Sequence, residues 1–483
     1  MGLGIITATG ICSMMGASIN VVPFMIQKNV PGIGTYVVPA FVFAAIPALL
    51  AALSYSILAS AMPRAGGSYL YASRGLNPYL GFAASFSQWF GLSVVIGVIA
   101  YIIPPFLRDI SILLNLDSLS LLLENGSVRL SIALFLIWSF VIVNIKGTKA
   151  YSIAIIPMLY LMFILGGIVI FSGYYYDSND FIESLKLREN RAFTPLNKPE
   201  FKLSIFFSAS AVLFSSFIGF DSIAQTGSEA KNPTKSIPKA ILLSIFCVSL
   251  FYFLFTSAVY NVIPWSFMAE ESLKKDISAP GMLSYILPSG WGVAILIGAA
   301  FALINDLPSM ILSVSRLMYS WSKDNIFPKF FSKIHPNYNS PHRALIFSGF
   351  LASLGAFGSH YASDIFLGID IMVTSMMFNF ILMCLTLIAI PRVNPLLHKQ
   401  ITIFKNRLIQ KIIGYSGTIL LIFFFIIHTY KDISMSTKRW YFHSTYIWLI
   451  VMSIATFFFI YRWKSLTLKN NNLSEFFKKL PDQ

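Results

Sequence analysis

Cys12-Ser13-Met14-Met15-Gly16-Ala17-Ser18-Ile19 and Ser215-Ser216-Phe217-Ile218-Gly219-Phe220-Asp221-Ser222 are the two stretches on which the fold turns. Each interrupts an apolar run of membrane-spanning length with small residues grouped around a glycine. Where a helix breaks, the half that begins there presents free N–H groups and a positive dipole end, and the half that ends there presents free carbonyls. N–H groups suit a carboxylate; carbonyls suit an ammonium or Na⁺. Two facing breaks therefore make a receptor for a zwitterion that needs no charged side chain. Glycines that only let two helices pack closely would leave the same trace in the sequence. What favours the receptor is the position of the two breaks, in the first and sixth apolar runs, as a five-plus-five inverted repeat of helices predicts.

Composition sets those runs in a membrane. Of 483 residues, 56% are hydrophobic and 11% charged, with mean hydropathy +0.72. A soluble domain of that make-up would have no polar surface to show to water. Runs of spanning length lie at roughly 3–26, 35–61, 79–107, 130–145, 151–175, 203–225, 238–263, 291–321, 344–360, 365–391, 412–430 and 444–463, and each can satisfy its backbone in hydrocarbon only as a helix. The expected fold is thus an all-α membrane protein of about twelve transmembrane helices, ten in the repeat and two after it. The first run lacks a basic flank and continues through Pro23, so it is expected to stay as a span and not to be cleaved.

With both termini placed in the cytoplasm, 22 of the 35 Lys and Arg fall on the inner side, whereas 13 of the 20 acids fall on the outer side. The net charge of +15 is then an inner-face charge, suited to an anionic leaflet and requiring no nucleic-acid partner. A multi-pass protein of the plasma membrane is expected. Cys12, Cys247 and Cys384 sit in spans at unrelated depths without ligand spacing, and read as small buried hydrophobes, neither disulfides nor a metal site. The polar stretches are too short for a separate core. The chain divides into a first repeat at 1–175, an outer loop at 176–201, a second repeat at 202–391, two further helices at 392–463 and a cytoplasmic tail at 464–483.

Several motifs resemble the amino acid-polyamine-organocation superfamily of transporters, and the resemblance runs along most of the chain. Segment 219–241, from Gly219-Phe220-Asp221 through Lys231-Asn232-Pro233 to Ile237-Pro238-Lys239, is similar to the family's end of helix 6 and the loop into helix 7. Met62-Pro63-Arg64-Ala65-Gly66-Gly67-Ser68-Tyr69 resembles the loop between helices 2 and 3, and Ser315-Arg316-Leu317-Met318-Tyr319 with Lys323-Asp324-Asn325 resembles the loop after helix 8. Gly16, Ile19 and Pro23 resemble the helix 1 motif, with Cys12 and Ser18 where the pattern usually has glycine. The resemblance implies secondary transport of an amino acid or related amine by alternating access. It implies that the amides of Gly16, Ala17 and Ser18 hold the substrate carboxylate and the carbonyls of Met14, Ser215 and Ile218 its ammonium, at breaks centred on Gly16 and Gly219. Ser215 stands where some relatives carry an aromatic gate, which implies either a roomier pocket or a gate moved to Phe214, Phe217 or Phe220, aromatics that plain packing explains equally well.

Asp221, Asp306 and Asp370 are the acids placed inside spans, where a charge costs about 2.5–3.5 kcal/mol on insertion scales. Asp221, beside the second break, is a candidate for coupling or gating. Asp306, in Asn305-Asp306-Leu307-Pro308, is a candidate for ion or proton coupling, or for knitting together the kink at Pro308. Asp370 reads as a solvated residue near the outer end of its helix. Many proton-coupled relatives carry a Lys in helix 5, but Met162 fills approximately that position. That leaves Na⁺ symport, exchange, uniport, or an H⁺ route through Asp221 or Asp306, and no organic cofactor is called for. The six histidines lie in loops or near span ends without catalytic spacing, so an enzyme is not expected. An amino acid sensor or a channel-like facilitator on the same fold remains the alternative.

Overall fold

The computed structural model describes residues 1–362, 365–435, 440–468 and 473–481. Among them the chain is nearly all helix, with no strand. Eleven helical stretches are long and apolar enough to cross a bilayer, and Leu3–Cys12 is a shorter apolar helix. That short helix and the two that follow it, Ala17–Asn20 and Val22–Asn29, make up the interrupted first run, α1. The others are α2 (Val37–Ala61), α3 (Pro78–Leu113), α4 (Gly126–Ile145), α5 (Thr148–Tyr175), α6 (Leu203–Leu213 continuing through a tight turn to Ser222–Gln225), α7 (Pro233–Val262), α8 (Ser289–Lys323), α9 (His342–Ala362), α10 (Ile365–Val393), α11 (Arg407–Ser434) and α12 (Ser444–Thr467).

Helices α3 and α8 form the spine. At 36 and 35 residues they are about 54 Å long at 1.5 Å per residue, well beyond the roughly 30 Å of hydrocarbon, so they must tilt or project from it. They pack along each other; α3 also packs on α4, α9 and α10, and α8 on α4, α5 and α9. Helix α2 packs on α7, α10 and the first half of α6, whereas α7 packs on α2, α5 and the first half of α1. Helices α4 and α9 pack together, and α11 and α12 cover α10. Apolar side chains such as Ile153, Tyr160, Ile164 and Phe171 on α5 and Ile412, Ile419 and Ile426 on α11 stay exposed, as lipid-facing surfaces do. Cys247 shares that fate on α7. It was expected to be buried, but hydropathy cannot tell an apolar position facing lipid from one facing protein. Cys12 and Cys384 are buried.

Without a hydrophobic drive between helices in lipid, close approach depends on small residues. A methyl group on Gly97 of α3 would lie 2.2 Å from the Ala356 amide nitrogen of α9, and one on Gly355 would lie 2.5 Å from the Val94 carbonyl oxygen. The two helices meet backbone to backbone there.

At one end of the bundle, polar loops form a cap. Helix Ser178–Glu189 opens on a capping box between Asp177 and Asp180, and its Phe181 meets Phe267 of helix Trp265–Lys274 edge-on at 4.9 Å. Arg191 pairs with Glu271 at 2.7 Å and Glu270 at 2.8 Å, and the second of these helices rests on Val22–Asn29 of α1. Burial of Glu271 disfavours its charge, but Arg191 and Lys274 outweigh this and hold its carboxyl below the ordinary value. A lowered folded-state pKa gives stability that is complete above the ordinary carboxyl range and is lost as pH falls through the lowered value. Hydrogen exchange across 178–189 and 265–274 should therefore accelerate in Arg191→Met at neutral pH, and in the wild type only below about pH 4.

Candidate substrate site

The first run is broken because Ser13 to Gly16 leave the helix: Met14 and Met15 both donate to the Ile11 carbonyl, and regular helix resumes only at Ala17. The sixth run tightens at Phe214–Phe217, extends at Ile218 and passes through Gly219 at φ +140°, a backbone conformation that only glycine adopts without strain. A short turn, Ser222–Gln225, follows. Both breaks expected from sequence are present, but the segments that resume after them are only four residues long before the next interruption. They supply local N–H groups and not the summed dipole of a half-helix.

The breaks face each other. A methyl group on Gly219 would lie 2.3 Å from the Ser13 carbonyl oxygen and 2.8 Å from Cγ of Met14. The Ser13 and Ser222 hydroxyls share a hydrogen bond of 2.9 Å, and the Ser216 hydroxyl donates to the Ser18 carbonyl at 3.1 Å. Asn20 donates to the Gly16 carbonyl at 3.1 Å, and the Tyr252 hydroxyl of α7 donates to the Met14 carbonyl. Phe217 packs against Phe41 and Tyr252 at ring distances of 5.3 and 5.6 Å, and Phe220 stacks on Phe380 at 5.1 Å. Phe214 lies farther off, edge-on to Phe380 and Phe424. Met14, Gly16, Ser18, Ser215, Phe217, Ile218 and Gly219 are thus gathered with the Ala17 backbone in one place. The Met14 carbonyl, expected to face an ammonium, is taken by Tyr252. The Ser215 hydroxyl is buried without a hydrogen-bond partner among the described residues.

Asp221 is fully buried beside the second break. The Gly219 N–H donates to its Oδ1 at 3.1 Å, and the Gln88 side-chain amide of α3 donates to its Oδ2. Gln88 also accepts from the Ser68 hydroxyl, and Asn379 of α10 donates to the Tyr55 hydroxyl at 2.7 Å and to Gln88 at 3.4 Å. Sequence reasoning missed Gln88, Asn379 and Tyr55; the one signal for them was an amide in the middle of an apolar run, twice. Asp306 lies across the site on α8, where its carboxyl covers Gly16: a methyl group on that glycine would be 1.8 Å from Oδ2. Its neighbour Asn305 donates to Cys12 Sγ at 2.9 Å and to the Ile155 carbonyl at 3.4 Å, so that amide ties α8 to α1 and α5 and does not mend its own helix at Pro308. Asp370 departs from expectation. It is only 8% exposed, in the wall of a cavity with Arg129 and Asp432.

Among the described residues, the larger open spaces lie toward the two ends of the bundle. One cavity of about 480 Å³ is lined by Arg64, Tyr69, Glu229, Arg316 and Asp324; the other, of about 500 Å³, by Val22, Met25, Arg129, Phe366 and Asp370. Between them, a space of about 20 Å³ beside Met15, Ile19, Asn20 and Met162 has room for about one water. At the first end, Arg316 holds Glu229 at 2.7 Å and a buried Arg74 holds Asp324 at 2.5 Å. These ion pairs, with the Tyr69 hydroxyl donating to Asp324 at 2.6 Å, join the three loop motifs of the resemblance.

Eleven helical stretches long and apolar enough to cross a bilayer, the sixth run among them interrupted like the first, around a polar centre with a vestibule at either end, define a polytopic membrane protein. The chain belongs to the amino acid permease family of the amino acid-polyamine-organocation superfamily, whose family profile matches residues 3–465. It is 26% identical over 371 residues to the branched-chain amino acid permease BcaP of Bacillus subtilis (strain 168), covering 73% of this chain and 72% of that one. It is 23% identical over 321 residues to the low-affinity putrescine importer PlaP of Escherichia coli (strain K12), covering 66% of each. It is 25% identical over 370 residues to the vacuolar cationic amino acid transporter 4 of Arabidopsis thaliana, covering 73% of this chain and 57% of that one.

If Asp221 and Gln88 act as one unit, thermal melts should show it. Asp221→Asn and Gln88→Ala are each expected to lower the melting temperature, and the double variant to lower it by clearly less than the two shifts added, with a coupling of about 0.5–3 kcal/mol.

Proposed function

We propose that the protein carries an amino acid or related amine across the membrane by alternating access, with the substrate held between the breaks of α1 and α6. The apposition of the two breaks carries this reading, since Gly219 against Ser13 and Gly16 against Asp306 put unwound backbone from both helices in one buried place. Relatives named for branched-chain amino acids, cationic amino acids and putrescine share an amine, which sets the substrate class.

The packing supports an inverted repeat of α1–α5 and α6–α10. Exchanging each helix for the one five places on turns α3 against α10 into α8 against α5, α3 against α9 into α8 against α4, and α1 against α7 into α6 against α2; each partner contact is present. Repeat boundaries at 1–175 and 202–391 are proposed on that basis. Lysine and arginine gather at the end where Arg74 donates to the Lys479 carbonyl and the Lys231 N–H to the Met1 carbonyl. By the positive-inside rule that end is cytoplasmic, both described termini with it, and the plasma membrane is the proposed site.

Counterflow in proteoliposomes tests the reading. Labelled substrate should accumulate against unlabelled substrate inside; a sensor or a channel-like facilitator would give no accumulation. Gly16→Leu should abolish both binding and counterflow, because a methyl group alone already collides with Asp306. Asp221 and Asp306 are the coupling groups proposed, with H⁺ or Na⁺ as the ion and Phe217 and Phe220 as the gate. In Asp221→Asn the dependence of uptake on a pH gradient should flatten, and a wild-type response would move that role to Asp306.

A further inference from the structure

We infer that the ligand of this site is a cationic amine without a carboxylate, because Asp306 already supplies the carboxyl group that an amino acid would bring to the α1 break. The inference rests on the central site proposed above and names its substrate class.

The surface of Gly16 is where a ligand carboxylate would lie if the amides of residues 16–18 received it, and Asp306 covers that surface. A methyl group on Gly16 would sit 1.8, 2.3 and 2.6 Å from Oδ2, Cγ and Oδ1 of Asp306, so all three atoms of the carboxyl group press on the glycine. The side chain is 1% exposed and its position is built, not incidental. Asn305 anchors this turn of α8 to Cys12 and Ile155, Asn144 of α4 donates to the Pro308 carbonyl at 3.1 Å, and the Ser309 hydroxyl donates to the Asp306 carbonyl at 2.9 Å. Tyr252, which crosses to the Met14 carbonyl, and Cys12 at the end of the first half of α1 both lie within electrostatic reach of the same carboxyl.

The site still offers acceptors, one of them a hydroxyl that can also donate. The Asn305 side-chain oxygen and the Ser215 hydroxyl are buried, 0% and 2% exposed, and have no hydrogen-bond partner among the described residues. An ammonium is all donor and takes such atoms; a carboxylate is all acceptor and cannot use the oxygen of Asn305. An amino acid would also have to place its carboxylate beside that of Asp306. Two carboxylates in one site do not both stay ionised, so the second must bind protonated or not at all. A primary amine, or a diamine whose second ammonium points along the site, meets the fixed carboxyl with the opposite charge.

Matched pairs that differ by one carboxylate test the inference: leucine with 3-methylbutylamine, lysine with 1,5-diaminopentane, and ornithine with 1,4-diaminobutane. With the full chain, thermal shift and counterflow should favour the amine of at least one pair over its amino acid by about tenfold or more. Asp306→Ala, which uncovers Gly16, should weaken that amine by tenfold or more and improve its parent amino acid. Should Asp306→Ala fail to fold, Asp306→Asn keeps the shape and should weaken the amine by the same measure. A wild-type protein that takes an amino acid as well as or better than its amine overturns this inference and leaves the central site standing. So does an amine preference that Asp306→Asn leaves unchanged. Amine exchange that survives Gly16→Leu, or the absence of counterflow with every member of every pair, instead overturns the central site and the inference with it.

Discussion

A backbone N–H or carbonyl left without a partner in hydrocarbon costs several kcal/mol, and the two interrupted helices at the centre of this chain persist because each completes the other. Ser13 and Ser222 share one hydrogen bond, Ser216 serves the Ser18 carbonyl, Tyr252 serves Met14, and the Gly219 N–H is received by Asp221. Neither break would be tolerable facing lipid. Everything else is arranged to keep them from it: the α3 and α8 spine on one side, α2 and α7 on the other, and the cap resting on the far half of α1.

The same arrangement explains why the centre is tight and the ends are open. At mid-depth the breaks bring small side chains and bare backbone together, and Met14, Phe217 and Asp306 fill what remains. At the basic end a cavity of about 480 Å³ opens, lined by Arg316 with Glu229 and by Asp324, which a buried Arg74 holds. A buried ion pair is a weak source of net stability but is costly to leave half-made, by about 3–5 kcal/mol. Such pairs suit a latch whose members separate together. An opening of this end that parted loops 62–75, 226–231 and 316–324 would have to re-solvate both pairs, and the vestibule already in contact with them supplies the water's route.

Much of this fold was legible in the sequence, because hydropathy marks spans and small residues mark breaks without any knowledge of neighbours. The twelve runs, the interruptions at Gly16 and Gly219 and the placing of Asp221 and Asp306 inside apolar runs all came from local reading. What was not legible depends on apposition. Gln88 and Asn379 are ordinary polar residues until α3 brings Gln88 to Asp221 across 133 residues and α10 brings Asn379 to Gln88 across 291. Cys247 reads like Cys384, yet one faces outward and the other inward. The dipole expected after each break depends on how many residues of helix follow, and no composition reports that only four do before Val21 and Thr226 interrupt.

Asp306 carries that lesson furthest. In sequence it belongs with Asn305 and Pro308, and its natural explanation is local, a side chain that mends a kink. In space it belongs with Gly16, 290 residues earlier, and the glycine explains the acid as much as the acid explains the glycine. A residue with a β-carbon at position 16 would push the carboxyl out of the break, whereas the isosteric amide of Asp306→Asn would still fill it, and so the space occupied and the charge placed there are separable properties. Glycine at such a break is ordinarily read as room for a ligand to approach the backbone. Here the room is taken by the protein's own carboxyl group, and the part of a ligand for which that room remains useful is the part that a carboxyl group attracts.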